Sequence, residues 1–159
     1  MFNLKVVTLA LFASAGLFGS AFAQEGHALT VVDTDGDQHV LSLDKLDAME
    51  QVEFSTTTIW TEGIFRFSGV PLTHLLESLK AEGSTLRMSA LNDYSVEMPT
   101  SELENDAPIV ATRINGQTLP VREKGPYWVV YPFDRSPEYR TEAKYSQSIW
   151  QLKTLAVME

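Results

Sequence analysis

The chain predicts an α+β fold: a mixed, mostly antiparallel sheet with one main helix packed on it. Three observations carry this. Short runs with an apolar residue at every second position dominate the sequence. Asp-Gly and Asn-Gly turn signals separate several of them, and a single segment has helical periodicity.

In order along the chain, Leu29 and Val31 alternate with their neighbours before Asp33-Thr34-Asp35-Gly36-Asp37, and Val40 to Leu43 resumes the pattern. This predicts a hairpin closed by an Asp-Gly turn. Val52 and Phe54 alternate with Glu53 and Ser55, and Phe65 and Phe67 flank Arg66. Gly69-Val70-Pro71 then puts proline at a first helical position, where its missing N–H costs nothing. Leu72, Leu75, Leu76 and Leu79 fall at i, i+3, i+4 and i+7, an apolar stripe that must lie on a sheet, with Gly83 as the stop. Leu86, Met88 and Ala90, then Tyr94, Val96 and Met98, predict a second hairpin about Asn92-Asp93. Pro99 to Asp106 reads as a turn or short helix, with Ser101 and Glu104 spaced as a capping box. Pro108 to Ile114 reads as a strand that turns at Asn115-Gly116. Tyr127 to Phe133 and Ile149 to Val157 close the chain as strands. Residues 134–148 between them, polar and without periodicity, read as a long loop.

Residues 1–23 have the parts of a secretory signal peptide. Lys5 is the early positive charge, Val6 to Phe18 the apolar run, and Ala21-Phe22-Ala23 the small-x-small site before Gln24. The run of about 13 residues is short of the roughly 20 that span a bilayer. The expectation is a periplasmic protein, not membrane-spanning once mature, with residues 24–159 as a single domain. The net charge of −9 argues against nucleic acid as a partner, because phosphate contacts need a basic face. The chain has no cysteine, which removes disulfides, thiolate metal ligands and thiol nucleophiles.

Three constellations can be weighed for chemistry. Asp33, Asp35, Asp37 and Asp44 occupy positions 1, 3, 5 and 12 of a calcium loop. Gln38 stands where that loop wants glycine, and strand-like residues precede it, so a plain hairpin turn is the competing reading. His27, His39 and His74 show no spacing suited to a shared metal. The stretch 122–145 gathers Arg122, Lys124, Arg135, Arg140 and Lys144 among Tyr127, Trp128, Tyr131, Phe133, Tyr139 and Tyr145. Cations beside aromatic faces suit an anionic or heterocyclic small molecule, against the alternative of a solvated loop covering a sheet edge.

Read in order, several segments resemble the molybdopterin-binding domain of the sulfite oxidase family. Phe67-Ser68-Gly69-Val70-Pro71-Leu72 with His74-Leu75-Leu76 resembles that family's W-x-G-V-P-L-x-x-L-L. Asp93-Tyr94 with Met98-Pro99 resembles its D-G-Y segment. Asn115 to Pro120, Gly125-Pro126 through Pro132, and Ser148 to Leu152 resemble its later motifs, so that the match covers most of 28–157. The resemblance implies a sulfite-oxidase-like fold and molybdopterin as a possible cofactor. It also implies a molybdenum-ligating cysteine on the strand before G-V-P-L. That neighbourhood, Phe54 to Trp60, holds Thr56, Thr57 and Thr58 and no sulfur, and the arginine after the family's G-x-P falls at Trp128. A threonine hydroxyl is a poor ligand for a soft metal. The expected function is therefore a non-catalytic, sensory module that binds a ligand or a periplasmic or membrane sensor protein. The alternative is a molybdopterin-dependent oxidoreductase or its accessory subunit. The expected site comprises Thr56, Thr57, Thr58, Asp93, Tyr94, Arg122, Lys124, Trp128, Tyr131, Arg135 and Arg140.

Overall fold

In the computed structural model, which describes residues 27–159, Leu29–Val32 (β1) pairs antiparallel with Gln38–Leu41 (β2) around the acidic turn. The expected signal peptide lies outside the described residues. Asp33 explains the turn: one carboxylate oxygen accepts from the backbone N–H groups of Asp35 (3.1 Å) and Asp37 (2.9 Å). The other lies 3.0 Å from His39 Nε2. These bonds, the His39 contact first, hold the Asp33 carboxyl below its usual range. The alternation stops earlier than expected. Leu43 opens a short helix, Leu43–Asp47 (α1), whose N-cap Ser42 accepts from the Lys45 amide.

Two five-stranded sheets follow from the remaining pairings. Val52–Thr58 (β3) and Thr61–Pro71 (β4) form one hairpin, Thr85–Ala90 (β5) and Ser95–Pro99 (β6) another. Ile109–Ile114 (β7) turns at Asn115-Gly116, both with positive φ, into Gln117–Thr118 (β8), as the Asn-Gly signal predicts. Trp128–Val130 (β9) also pairs with β7, and Leu152–Met158 (β10) ends the chain. The first sheet runs β2-β1-β10-β5-β6 and the second β3-β4-β7-β8, with β9 on β7. Every pairing is antiparallel except β1 with β10, where Thr30 stands beside Thr154.

The two sheets bury their residues differently. In the first, β1, β5 and β10 alternate buried and partly exposed positions, the pattern of a sheet with one wet face. In the second, β7 and β9 are buried on both faces. Val70, Val110 and Val129 point into a core shared with Leu29, Val31, Met88, Leu155 and helix Leu72–Ser78 (α2). Ile109, Ala111, Trp128 and Val130 point the other way, into a second core with Phe67, Tyr131, Phe133 and Tyr139.

Several expectations need correction. The expected helix is α2, and two shorter ones accompany it, α1 and one in 134–148, which is not an unstructured loop. It holds a 3-10 turn at Pro137–Tyr139 and a helix at Glu142–Gln147 (α3), capped by Thr141 accepting from the Lys144 amide. Neither α1 nor α3 is long enough to show a stripe: α1 buries Leu46 and α3 buries Gln147. Pro71 ends β4 and stands at the N-cap of α2 instead of inside it. That helix is closed by Lys80 at φ 55, with Ala81 N bonded to Leu76 O and Lys80 N to Glu77 O, not by Gly83. The Ser101–Glu104 capping box does not form. Thr100–Glu102 is a 3-10 turn without a side-chain cap, anchored by the Thr100 hydroxyl donating to Gly83 O (2.6 Å). The last two strands are shorter than predicted: β9 ends at Val130, and β10 starts only after Gln151, whose φ is 53.

Gly69 shows why one motif position admits only glycine. It sits at the irregularity where β4 pairs with β7, and a Cβ there would collide with the Val110 carbonyl oxygen and the Ala111 Cα. The obstacle is backbone, which cannot rotate away. Gly69→Ala is expected to lower stability by about 1–3 kcal/mol, read as a fall in the urea midpoint. An unchanged midpoint would mean that the strands are not this close.

Candidate functional site

Thr56, Thr57 and Thr58 lie at the end of β3 and have separate structural tasks. Thr56 is fully buried; its hydroxyl donates to Thr57 O (3.1 Å) and accepts from the Asp134 amide (3.0 Å). The Thr57 amide (2.6 Å) and hydroxyl (2.7 Å) donate to the two oxygens of the Asp134 carboxylate. Those bonds, with Arg140 nearby, hold the Asp134 carboxyl below the usual range. Thr58 serves the hairpin turn: its Oγ1 lies 2.8 Å from Thr61 Oγ1 and accepts from the Trp60 amide (3.1 Å).

That turn places the Trp60 ring among other aromatics. It meets Trp150 (5.5 Å between centroids), Trp128 (5.9 Å), Tyr145 (5.9 Å) and Phe133 (6.2 Å), each near edge-to-face. Beside it opens a cleft of about 280 Å³, where the β3–β4 turn, the β5–β6 turn and α3 converge. Trp60, Tyr94, Tyr145 and Trp150 form its aromatic walls, with Asn92, Ser146 and Ser148 as polar lining. No charged side chain lines it.

The basic stretch is mostly consumed by internal pairs. Arg135 binds Asp106 (2.8 Å), and Lys144 binds Glu102 (2.9 Å) while lying 5.0 Å from the Tyr131 ring centroid. Arg140 donates to Phe133 O (2.8 Å) and lies 3.5 Å from Asp134. These contacts staple 134–148 to its neighbours, the 100–106 segment above all. Tyr139 adds a bond to Glu104 (2.7 Å); burial first, and that carboxylate next, push its phenol up to about 12. Lys124 instead lies 5.6 Å from the Trp150 ring centroid and 5.8 Å from that of Trp128. Arg122 is exposed on a 3-10 turn and has no ion-pair partner among the described residues.

Of the expected site residues, Tyr94 alone lines the cleft, with Asp93 holding a left-handed turn position beside it. Thr56, Thr57 and Arg140 are brought together, but through Asp134 rather than around an open surface. Trp128 and Tyr131 are buried in the second core, where the Trp128 indole donates to Ser148 O and the Tyr131 hydroxyl to Gln147. Burial, with Glu102 next, raises the Tyr131 phenol pKa far above its usual value. Sequence reasoning missed Trp60 and Trp150 as cleft walls and Asp134 as the clamp. Their signal was weak: a tryptophan in a two-residue turn, and one carboxylate in a basic stretch.

The sequence profile described as the oxidoreductase molybdopterin binding domain matches residues 19–134. The chain belongs to this family. Among solved structures it is similar to the sulfane dehydrogenase SoxCD from Paracoccus pantotrophus, with a TM-score of 0.62 and 17% identity. That similarity covers 83% of this chain and 38% of that one, so the chain spans well under half the length of its structural relative. No curated protein sequence matches. The fold is therefore the sulfite-oxidase-like one that the motifs imply.

The residues present do not fit a molybdenum centre of the thiolate-ligated kind. The chain offers no sulfur ligand from cysteine, and the buried Thr56 hydroxyl is already both donor and acceptor within the protein. Among the described residues no three His, Cys, Asp or Glu are grouped to hold a metal.

The Asp134 clamp predicts a pH dependence. Its folded pKa is depressed, so the stability it confers is present above the ordinary aspartate value near 3.9 and is lost as pH falls through the lower folded value. Asp134→Asn is expected to cost about 1 kcal/mol at pH 7, and its deficit relative to the parent should shrink below about pH 4. Urea unfolding between pH 7 and pH 2.5 measures both; a deficit constant with pH would rule the clamp out.

Proposed function

We propose that this protein is an exported, non-catalytic member of the molybdopterin-binding domain family that acts as a ligand- or partner-binding module. The observation that carries the reading is Thr56. On the strand where the family's thiolate is expected, this side chain is an oxygen, fully buried, with its hydrogen bonds directed at Asp134 and Thr57. Converting such a position into a metal ligand would break the clamp that joins β3 to the 134–148 segment. The ion pairs of Arg135, Arg140 and Lys144 support the same reading, since they leave few cations for a pterin phosphate.

The N-terminal pattern supports export to the periplasm. Protein recovered from that compartment is expected to begin at Gln24 by intact mass, and a retained leader would contradict this. Elemental analysis of the same protein should find molybdenum far below one atom per chain; a stoichiometric level would overturn the non-catalytic role.

Family membership and the likeness to SoxCD favour a second reading, an oxidoreductase or its accessory subunit that binds pterin without its own cysteine. Denaturation would then release a fluorescent oxidised pterin. A pterin-free supernatant is the outcome expected here.

A further inference from the structure

We infer that the cleft between Trp60, Tyr94, Tyr145 and Trp150 is a binding site for a neutral, planar aromatic or heteroaromatic molecule of one or two rings. This names the ligand for the binding module proposed above, and so rests on that reading.

Four features of the cleft converge on this class. Its walls are four aromatic side chains from four separate stretches of the chain, so that a flat ring inserted there meets aromatic surface on several sides. Its volume of about 280 Å³ is at the small end for ligand sites, which suits one or two rings and not a cofactor with a long tail. Polar groups at the lining are few, as an orienting set should be. The Asn92 carbonyl oxygen accepts from the Tyr94 amide (3.2 Å), and its amide nitrogen remains as a donor. Ser146 and Ser148 spend their hydroxyl protons on Ala143 O and Lys144 O, so each offers an acceptor only. A ring carrying one acceptor and one N–H or O–H donor is matched by this lining.

The fourth feature is charge. The expectation of an anionic or heterocyclic ligand came from the cations and aromatic rings of 122–145, and none of those cations lines the cleft. Arg135, Arg140 and Lys144 are held by Asp106, Asp134 and Glu102. Lys124 lies over the Trp150 ring without being part of the lining. An anion entering the cleft would shed hydration with no charged group in the lining to replace it. A proline-rich peptide is the other common guest of aromatic surfaces, but it needs an extended groove with successive pockets. Here the site is a single cavity, and two further cavities lie against different elements, near Ser42 and Thr118 and near Thr73 and Lys80.

The test uses the mature chain and a matched pair of probes, indole and indole-3-carboxylate, titrated by calorimetry and by saturation-transfer NMR at pH 7. Indole is expected to bind saturably, at least tenfold more tightly than the carboxylate. Tyr94 is half exposed, at 50%, so Tyr94→Ser should leave the urea midpoint in place while weakening indole about threefold to tenfold. Ser146→Lys places a cation in an exposed part of the lining and should reverse the preference between the two probes. Absence of saturable indole binding would overturn the assignment, as would tighter binding of the carboxylate to the parent protein. Indifference of both variants, or a proline hexapeptide that outcompetes indole, would do the same. Molybdenum and pterin are assayed on the same preparation. Their presence sinks the non-catalytic reading, whereas failure with both absent sinks only the ligand assignment.

Discussion

The architecture depends on a sheet that is apolar on both sides. β7 and β9 put Val110 and Val129 into one core and Ile109, Ala111, Trp128 and Val130 into the other, so the second sheet must be covered twice. The first sheet with α1 and α2 covers one face. The rest of the chain has to cover the other, and 131–150 does so with Tyr131, Phe133, Tyr139, Tyr145 and Trp150. Large aromatic rings bury much surface per residue, which suits a cover made from a short, irregular segment. Ion pairs to Asp106 and Glu102, and the Asp134 clamp on Thr57, fix it in place. The cleft lies at the seam of this cover, where it meets the β3–β4 turn and the β5–β6 turn.

The same arrangement gives the threonine run its meaning. In a relative with a thiolate on this strand, the strand end would face a metal. Here Thr56 and Thr57 face Asp134, and Thr58 shapes the turn that aims Trp60. One short stretch of β3 thus ties down the segment that covers the second core and sets the turn that supplies one wall of the cleft. The fold of this chain rests on the double-sided sheet and on the close strand approach at Gly69, neither of which involves a cofactor.

What the sequence made legible follows the same physics. The β1–β2 and β5–β6 hairpins belong to the sheet with one wet face, and period-two alternation announced them. Asn115-Gly116 announced its turn because both residues need positive φ. β9 was harder to bound, since Trp128-Val129-Val130 is buried on both faces and carries no alternation. α1 and α3 were invisible because each buries a single side chain, and one residue makes no period. The ion pairs of the basic stretch were hidden for a different reason. Neighbouring cations are plain in a sequence, but their acidic partners, Asp106 for Arg135 and Glu102 for Lys144, are brought up by the fold from 29 and 42 residues away. The cleft was missed likewise: no two of its tryptophans and tyrosines belong to one sequence motif.

The parallel pairing of β1 with β10 has a temporal side. β10 stands between β1 and β5 in the middle of the first sheet, yet it is synthesised after every other described strand. Until it emerges, the β1–β2 and β5–β6 hairpins have no common neighbour, and paired strands without a third are marginal in water. The strand that joins the two hairpins is thus made after both of them, and the first sheet assembles around it.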